Sequence, residues 1–269
     1  MGLLRPDVPV SLGEHLDELR RCLVAPAILW AVVFVIAFAF DDQLKILFIQ
    51  PLVWAVDLAT PAVAAKAGIP VLAAGDYRML KSFDLGESMG VSMSLAMWAA
   101  FLVVVPMFVY QIYAFISIGL TRQERKLAFL LVPAAVILFY IGTMVGYYFG
   151  MPWLYAWFIE WTANDPICTF DLRLASYRDD FFLYTLLFGA LLDVPWVVVT
   201  VVRVGFVTRE KLTGWRKFAF MAAVLVAALL GPGDPFSMLV LLLPTYALFE
   251  LGLLAAIFVG GPRKDPDRA

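Results

Sequence analysis

Long apolar stretches separated by short charged ones set the plan of this chain. Cys22–Phe40, Gly90–Ile116, Leu127–Phe149 (with apolar character running on to Ile159) and Phe181–Val202 form one set. Each approaches or exceeds the roughly 20 mostly apolar residues that a membrane-crossing helix needs. Two shorter stretches follow, Phe218–Leu230 and Phe236–Phe249, the second with an apolar continuation past Glu250. Six transmembrane helices are predicted, in an all-α integral membrane fold. Segments of alternating polarity, the mark of a membrane-spanning barrel, are missing from the pattern.

Composition agrees with this reading. Of 269 residues, 63% are hydrophobic and 16% charged, and the mean hydropathy is +0.88, outside the range of ordinary soluble domains. The net charge of −2 says less than its distribution. Fourteen of the 20 basic residues fall at the N-terminus, in the second and fourth connections and in the tail. Lys45, Lys66, Arg78, Lys81, Arg173 and Arg178 occupy the other connections, among twelve acids. Basic residues concentrate on the cytoplasmic side of membrane proteins, so both termini are predicted to be cytoplasmic. Arg20-Arg21 before an apolar run, with Ala37-Phe38-Ala39 behind it, imitates a cleavable export signal. The run is long enough to span and five more follow, so the two arginines read as an anchor for the first helix.

Function classes drop out on the same evidence. Cys22 and Cys168 are predicted on opposite sides of the membrane and cannot pair, and the single histidine, His15, cannot build a histidine metal site. Phosphate-binding and dinucleotide-binding glycine loops are missing, and no Ser/His/Asp set is possible beyond one that would use His15. Enzyme activity, a cofactor and a nucleic-acid partner are therefore not expected.

The shape of the bundle follows from the helix lengths. Phe218–Leu230 and Phe236–Phe249 would measure about 20 Å each at about 1.5 Å per residue, against a hydrocarbon core of about 30 Å. Such a short pair should thin the bilayer or recruit partner helices to cover the mismatch. The second and third spans are long and carry Pro106, Pro133 and Pro152, which permit bends. Long bent helices beside short ones predict a concave bundle. The connection Asp41–Met89 is too long for a simple loop, and its apolar patches predict interfacial helices forming a cap. Residues 1–260 read as one six-span domain and 261–269 as a polar tail.

The chemistry lies in the acids. SLGEHLDELRR (11–21) places Glu14, Asp17 and Glu18 within five residues, just ahead of the first span. Ser11 with Glu14 makes a capping-box pattern, and Asp17 and Arg21 pair at i,i+4. Glu14 and Glu18, also four apart, repel. The cluster reads either as a solvated interfacial helix or as a cation site completed by a second cluster, for which Glu124 in LTRQERKL (120–127) is the candidate. Asp193 stands midway along the fourth span with Gly189 before it and Pro195 after it. An ionisable group within a span costs about 2.5–3.5 kcal/mol on insertion scales and is a functional candidate by default. Gly189 and Pro195 are expected to open a groove beside Asp193, which would serve as an internally bonded structural acid or a proton relay. Glu250 reads as an interfacial acid near Arg203 or Arg263, or as a second functional acid. Asp234, in the turn Gly231-Pro232-Gly233-Asp234-Pro235, is expected to cap the sixth helix, with Pro235 at its first position. GPGD also imitates a signature of intramembrane aspartyl proteases, but Asp234 and Asp193 are predicted at different depths.

Five segments in order carry a specific likeness: EHLDELRRCL (14–23), YQIYAFISIGLTRQERK (110–126), FYIGTMVGYYFGMP (139–152), GALLDVPWVV (189–198) and GPGDPFSMLVLLLPTYALFELG (231–252). Together they resemble the TatC family, the signal-peptide receptor subunit of the twin-arginine protein translocase. Ile118 stands where that family has a proline, Asp193 where it has a glutamate and Met238 where it has a glutamine. The resemblance implies a receptor in the bacterial cytoplasmic membrane for signal peptides bearing paired arginines. It also implies assembly with TatA- and TatB-type single-span subunits and self-association in the complex. Glu18 and Glu124, with Glu14 beside them, become the implied contacts for the arginines, and Asp193 and Glu250 implied polar contacts within the membrane. The planar guanidinium makes bidentate pairs with carboxylates that lysine cannot reproduce. The rival expectation is an ion-coupled secondary transporter of small solutes using Asp193 and Glu250. No inverted repeat is visible, and the charged apparatus sits near the membrane surface rather than the midplane.

Overall fold

The computed structural model describes residues 12–69, 79–116, 122–167, 171–204, 207–230 and 235–258. The described residues are helical apart from short connections and a single isolated parallel bridge between Lys81 and Arg173. Backbone that must satisfy its own polar groups in hydrocarbon has helix as its simplest solution. The helices are α1 (Leu12–Ala39), α2 (Asp41–Leu58), α3 (Pro61–Ala67), α4 (Glu87–Ile116), α5 (Arg122–Val145) and α6 (Met151–Ala163). They continue as α7 (Leu174–Val204), α8 (Arg209–Gly214), α9 (Arg216–Leu230) and α10 (Pro235–Phe258). A five-residue π-helical turn, Gly146–Gly150, joins α5 to α6 without a break.

Four stretches among the described residues are long and apolar enough to cross a membrane: Glu87–Ala114, Leu131–Ala163, Leu174–Arg203 and Leu241–Phe258. Val24–Ala39 and Asp41–Leu58 meet that test only as a pair bent by 85°. The chain is thus a multi-pass membrane protein. α9 has 15 residues, about 22 Å at about 1.5 Å per residue, and is short as expected. α10 is longer than the sequence reading had it. It runs through Glu250 to Phe258, 24 residues in all, because Arg216 and Tyr246 bond the Glu250 carboxylate and the apolar stretch can continue as helix.

The chain divides into two compact units, Met1–Leu120 with Met144–Leu186, and Thr121–Thr143 with Leu187–Ala269. In the first, α1 lies along α4, and α2 and α3 pack on α6. The long connection after α1 therefore does form helices, as its apolar patches predicted. Its core is aromatic: Phe48 of α2 meets Tyr177 and Phe181 of α7 edge-on, at 4.7 and 5.1 Å between ring centroids. Pro51 sits inside α2 and cannot donate to the Leu47 carbonyl one turn back. The Tyr147 hydroxyl, held in the π turn, donates to that carbonyl at 2.8 Å, and Tyr177 donates to Phe48 O at 2.9 Å. Outward-facing Val24, Ile28, Val32, Val35 and Ile36 of α1 are exposed, as lipid-facing side chains would be.

In the second unit, α5 and α7 approach so closely that a Cβ on Gly142 would stand 2.8 Å from the Gly189 Cα. α10 meets α7 the same way, a Cβ on Gly252 falling 2.8 Å from the Pro195 Cα. Small residues let membrane helices pack backbone to backbone, where van der Waals contact replaces the missing hydrophobic drive. Leu212 of α8 buries itself in a cluster with Val198, Val202, Leu253 and Ala256.

Candidate functional site

Glu14 and Glu18 fall in the first two turns of α1, and Glu124 in the first turn of α5. The side chains of all three lie outside the described residues. Asp234 and Pro232 also lie outside them, whereas Pro235 is the first residue of α10, the position where its missing N–H costs nothing.

Asp193 is partly buried in α7. Its Oδ1 is buried and has no hydrogen-bond partner among the described residues, so the reading of an internally bonded structural acid finds no support at that oxygen. Thr200, seven residues on and so on the same helix face, likewise keeps a buried Oγ1 without a partner. The expected groove made by glycine and proline is not what those residues do. Gly189 is covered by Phe139 and Thr143 of α5, and Pro195 receives Gly252 of α10. α7 runs unbroken through Pro195, and the Trp196 indole donates to Leu131 O of α5 at 3.1 Å. Glycine and proline act here as contact points between helices, because a bilayer rewards close backbone approach.

Glu250 has a different partner from the one expected. Arg263 lies outside the described residues; the partner is Arg216, at the start of α9, at 2.8 Å. The Tyr246 hydroxyl donates to the other carboxylate oxygen at 2.8 Å. Tyr246 also meets Phe220 of α9 edge-on, at 5.4 Å. Glu250 thus joins α10 to α9.

Glu87, at the first turn of α4, is an organising residue that sequence reasoning missed. Its carboxylate accepts from Phe83 N at 2.6 Å, Asp84 N at 3.3 Å, Ser82 Oγ at 3.2 Å and Ala175 N at 2.8 Å. Arg173 Nε adds a fifth bond at 3.4 Å, and the Glu87 side chain is 4% exposed. Lys81 N donates to Leu172 O and Leu174 N to Lys81 O, completing the bridge between the two segments, while Lys81 pairs with Asp171. One carboxylate therefore ties the approach to α4 to the start of α7. The signal was present as a glutamate reaching back to the amide three residues earlier, half of a capping box.

Glu250 and Glu87 hold segments of the chain together. Among the described residues no three histidine, cysteine or acidic side chains gather as a metal site. A sequence model of the family described as Sec-independent protein translocase protein (TatC) matches residues 14–244. The chain belongs to the TatC family. A TatC protein of Deinococcus radiodurans is 31% identical over 94% of this chain and 89% of its own length. One of Halalkalibacterium halodurans is 31% identical over 91% of this chain and 88% of its own length. One of Halothiobacillus neapolitanus is 30% identical, and there the match takes in 91% of this chain but 61% of the relative. The fold matches a crystal structure of the twin-arginine translocase receptor TatC, with a TM-score of 0.73 at 21% identity, over 91% of this chain and 99% of that one. Family membership makes the chain a protein-translocase component rather than an enzyme, and sets the secondary-transporter reading aside.

Proposed function

We propose that this chain is the signal-peptide receptor of a twin-arginine export system. In this reading both termini face the cytoplasm, and the protein sits in the bacterial cytoplasmic membrane. The acids at the start of α1, Glu14 and Glu18, and Glu124 at the start of α5 receive the paired arginines of a folded precursor's signal peptide. Those acids each stand at the polar end of an apolar helix, where a ligand at the membrane surface can reach them without desolvating a lone charge. The observation that carries the reading is the family match running from residue 14 to residue 244, which takes in both acidic helix starts.

Asp193 is proposed as the polar contact for a TatA- or TatB-type single-span helix, since its unpartnered oxygen would gain from a donor supplied by another chain. Glu250 is already engaged with Arg216 and Tyr246, which favours a structural role over that of a free acceptor. Self-association in the assembled complex belongs to the same proposal.

The test is site-specific cross-linking in native-like membranes between a signal peptide and probes beside Glu18 and Glu124. Adducts that need the two arginines, and that vanish with a twin-lysine signal or in Glu124→Ala, support the receptor. Equal labelling by twin-arginine and twin-lysine signals would reduce the acids to solvated helix ends.

A further inference from the structure

Between the end of α7 and the start of α9 the sequence RVGFVTREKLTGWRKF (203–218) carries five basic residues and one acid, Glu210. It lies between a membrane-crossing stretch that ends at Arg203 and an apolar helix whose first large hydrophobic residue is Phe218. That position puts it at headgroup level. Arg203, Lys211 and Lys217 are exposed, Arg216 is exposed as well but already paired with Glu250, and exposed Trp215 and Phe218 stand among them. We propose that this elbow is an anchoring surface for anionic phospholipid headgroups.

Three features support this occupant. The elbow is firmly built: Leu212 is buried against Val202, Leu253 and Ala256, and Trp215 N donates to Lys211 O and Leu212 O. Its cations therefore stand on a fixed base. Cations and aromatic rings are neighbours in Trp215-Arg216-Lys217-Phe218, with the Lys217 ammonium 5.1 Å from the Phe218 ring centroid. The boundary between headgroups and acyl chains covers both kinds of group at once. A water-soluble acidic peptide would pair with the lysines and leave Trp215 and Phe218 uncovered. Finally, α9 is 15 residues long, about 22 Å against a core of about 30 Å. A helix that short, with its entry pinned to headgroups, draws the bilayer surface toward it and fixes where the membrane thins. The proposal does not depend on the twin-arginine reading; it needs only the membrane spans and the elbow.

The test uses the full chain in phosphatidylcholine nanodiscs doped with a photoactivatable phosphatidylglycerol or, in the parallel arm, a photoactivatable phosphatidylcholine, with the adducts mapped to peptides. Phosphatidylglycerol should label residues 203–218 in clear excess over phosphatidylcholine. Replacing Arg203, Lys211 and Lys217 by glutamine should remove about fivefold of that excess per cation, about a hundredfold for the three, and leave phosphatidylcholine labelling alone. Lys211→Arg with Lys217→Arg keeps the charge and should keep the labelling, which separates lost binding from lost folding. Equal labelling by the two lipids overturns the proposal, as does an excess that survives neutralisation. A third arm adds polyglutamate to phosphatidylcholine nanodiscs. If it binds the elbow and excludes phosphatidylglycerol, the surface belongs to an acidic protein and the lipid assignment falls.

Discussion

Alanine at Gly142 would place a methyl group 2.5 Å from Phe188 O, 2.8 Å from the Gly189 Cα and 2.9 Å from the Leu192 Cβ. Ordinary carbon–carbon contacts lie at about 3.5–4.0 Å, so α5 and α7 would have to separate by about 1 Å. Two of the three obstructing atoms are backbone, and no rotamer change relieves them. Overpacking costs about 1–3 kcal/mol, and this clash belongs at the upper end. The better helix propensity of alanine, about 1 kcal/mol, offsets part of it. The net expectation for Gly142→Ala is a loss of about 2 kcal/mol. Gly189→Ala points at the same interface from the other side but meets the Thr143 hydroxyl at 2.7 Å and the Phe139 ring at 2.8 Å. Those are side-chain atoms that can turn away, so its net cost should be smaller, about 1 kcal/mol or less. Gly90 in α4 has nothing within 4 Å of a built Cβ, and Gly90→Ala should stabilise by about 0.5–1 kcal/mol. Reversible unfolding of the three variants in bicelles, read against the parent, gives the order. If Gly142→Ala proves no worse than Gly90→Ala, the close approach of α5 to α7 is wrong. If the two interface glycines cost the same, the distinction between backbone and side-chain obstruction fails.

The remaining predictions concern polar groups. Tyr147→Phe should cost about 1 kcal/mol by leaving Leu47 O without its donor, and most of that cost should disappear in a Pro51→Ala background, where α2 can supply its own N–H; a double-mutant unfolding cycle measures the coupling. Glu87→Gln keeps the shape but loses the carboxylate that five donors share, so amide hydrogen exchange at 83, 84 and 175 should accelerate, and unchanged exchange would mean that the segments hold together without Glu87. Breaking the Arg216–Glu250 pair should be mild. Those side chains are 50% and 26% exposed, and pairs of that kind contribute about 0–1 kcal/mol, so Arg216→Ala should shift unfolding by no more than about that amount, and a loss above 2 kcal/mol would show the pair to be more deeply sealed than its exposure implies.

How much of this was legible in the sequence depends on which force decides each feature. Four of the six expected spans were legible among the described residues, because insertion into hydrocarbon is an average over some twenty residues, and averages survive small errors of boundary. The ends were not. α7 starts at Leu174 rather than Phe181 because Tyr177 and Asp180 find partners in Phe48 O and Tyr155, and hydropathy alone cannot see a polar residue that is satisfied by a distant segment. α10 outran its apolar stretch for the same reason, with Arg216 and Tyr246 bonding Glu250. Gly189 and Pro195 were read as breakers, yet within a bilayer their smallness and fixed backbone serve contact, and only the neighbouring helix reveals which use applies. The π turn at Gly146–Gly150 had no signal of its own; it becomes intelligible through Tyr147, which bonds the carbonyl that Pro51 leaves open a hundred residues earlier. Glu87 was only half visible: its bond from Asp84 N belongs to a local capping pattern, while its donors Arg173 and Ala175 lie almost ninety residues away. The acids at 14, 18 and 124 were visible from the outset for the opposite reason. What showed was a local pattern of charge before an apolar helix, which needs no partner in the fold to be seen. The pattern alone left a solvated helix end and a cation site both open, and the role proposed for these acids rests on the family likeness.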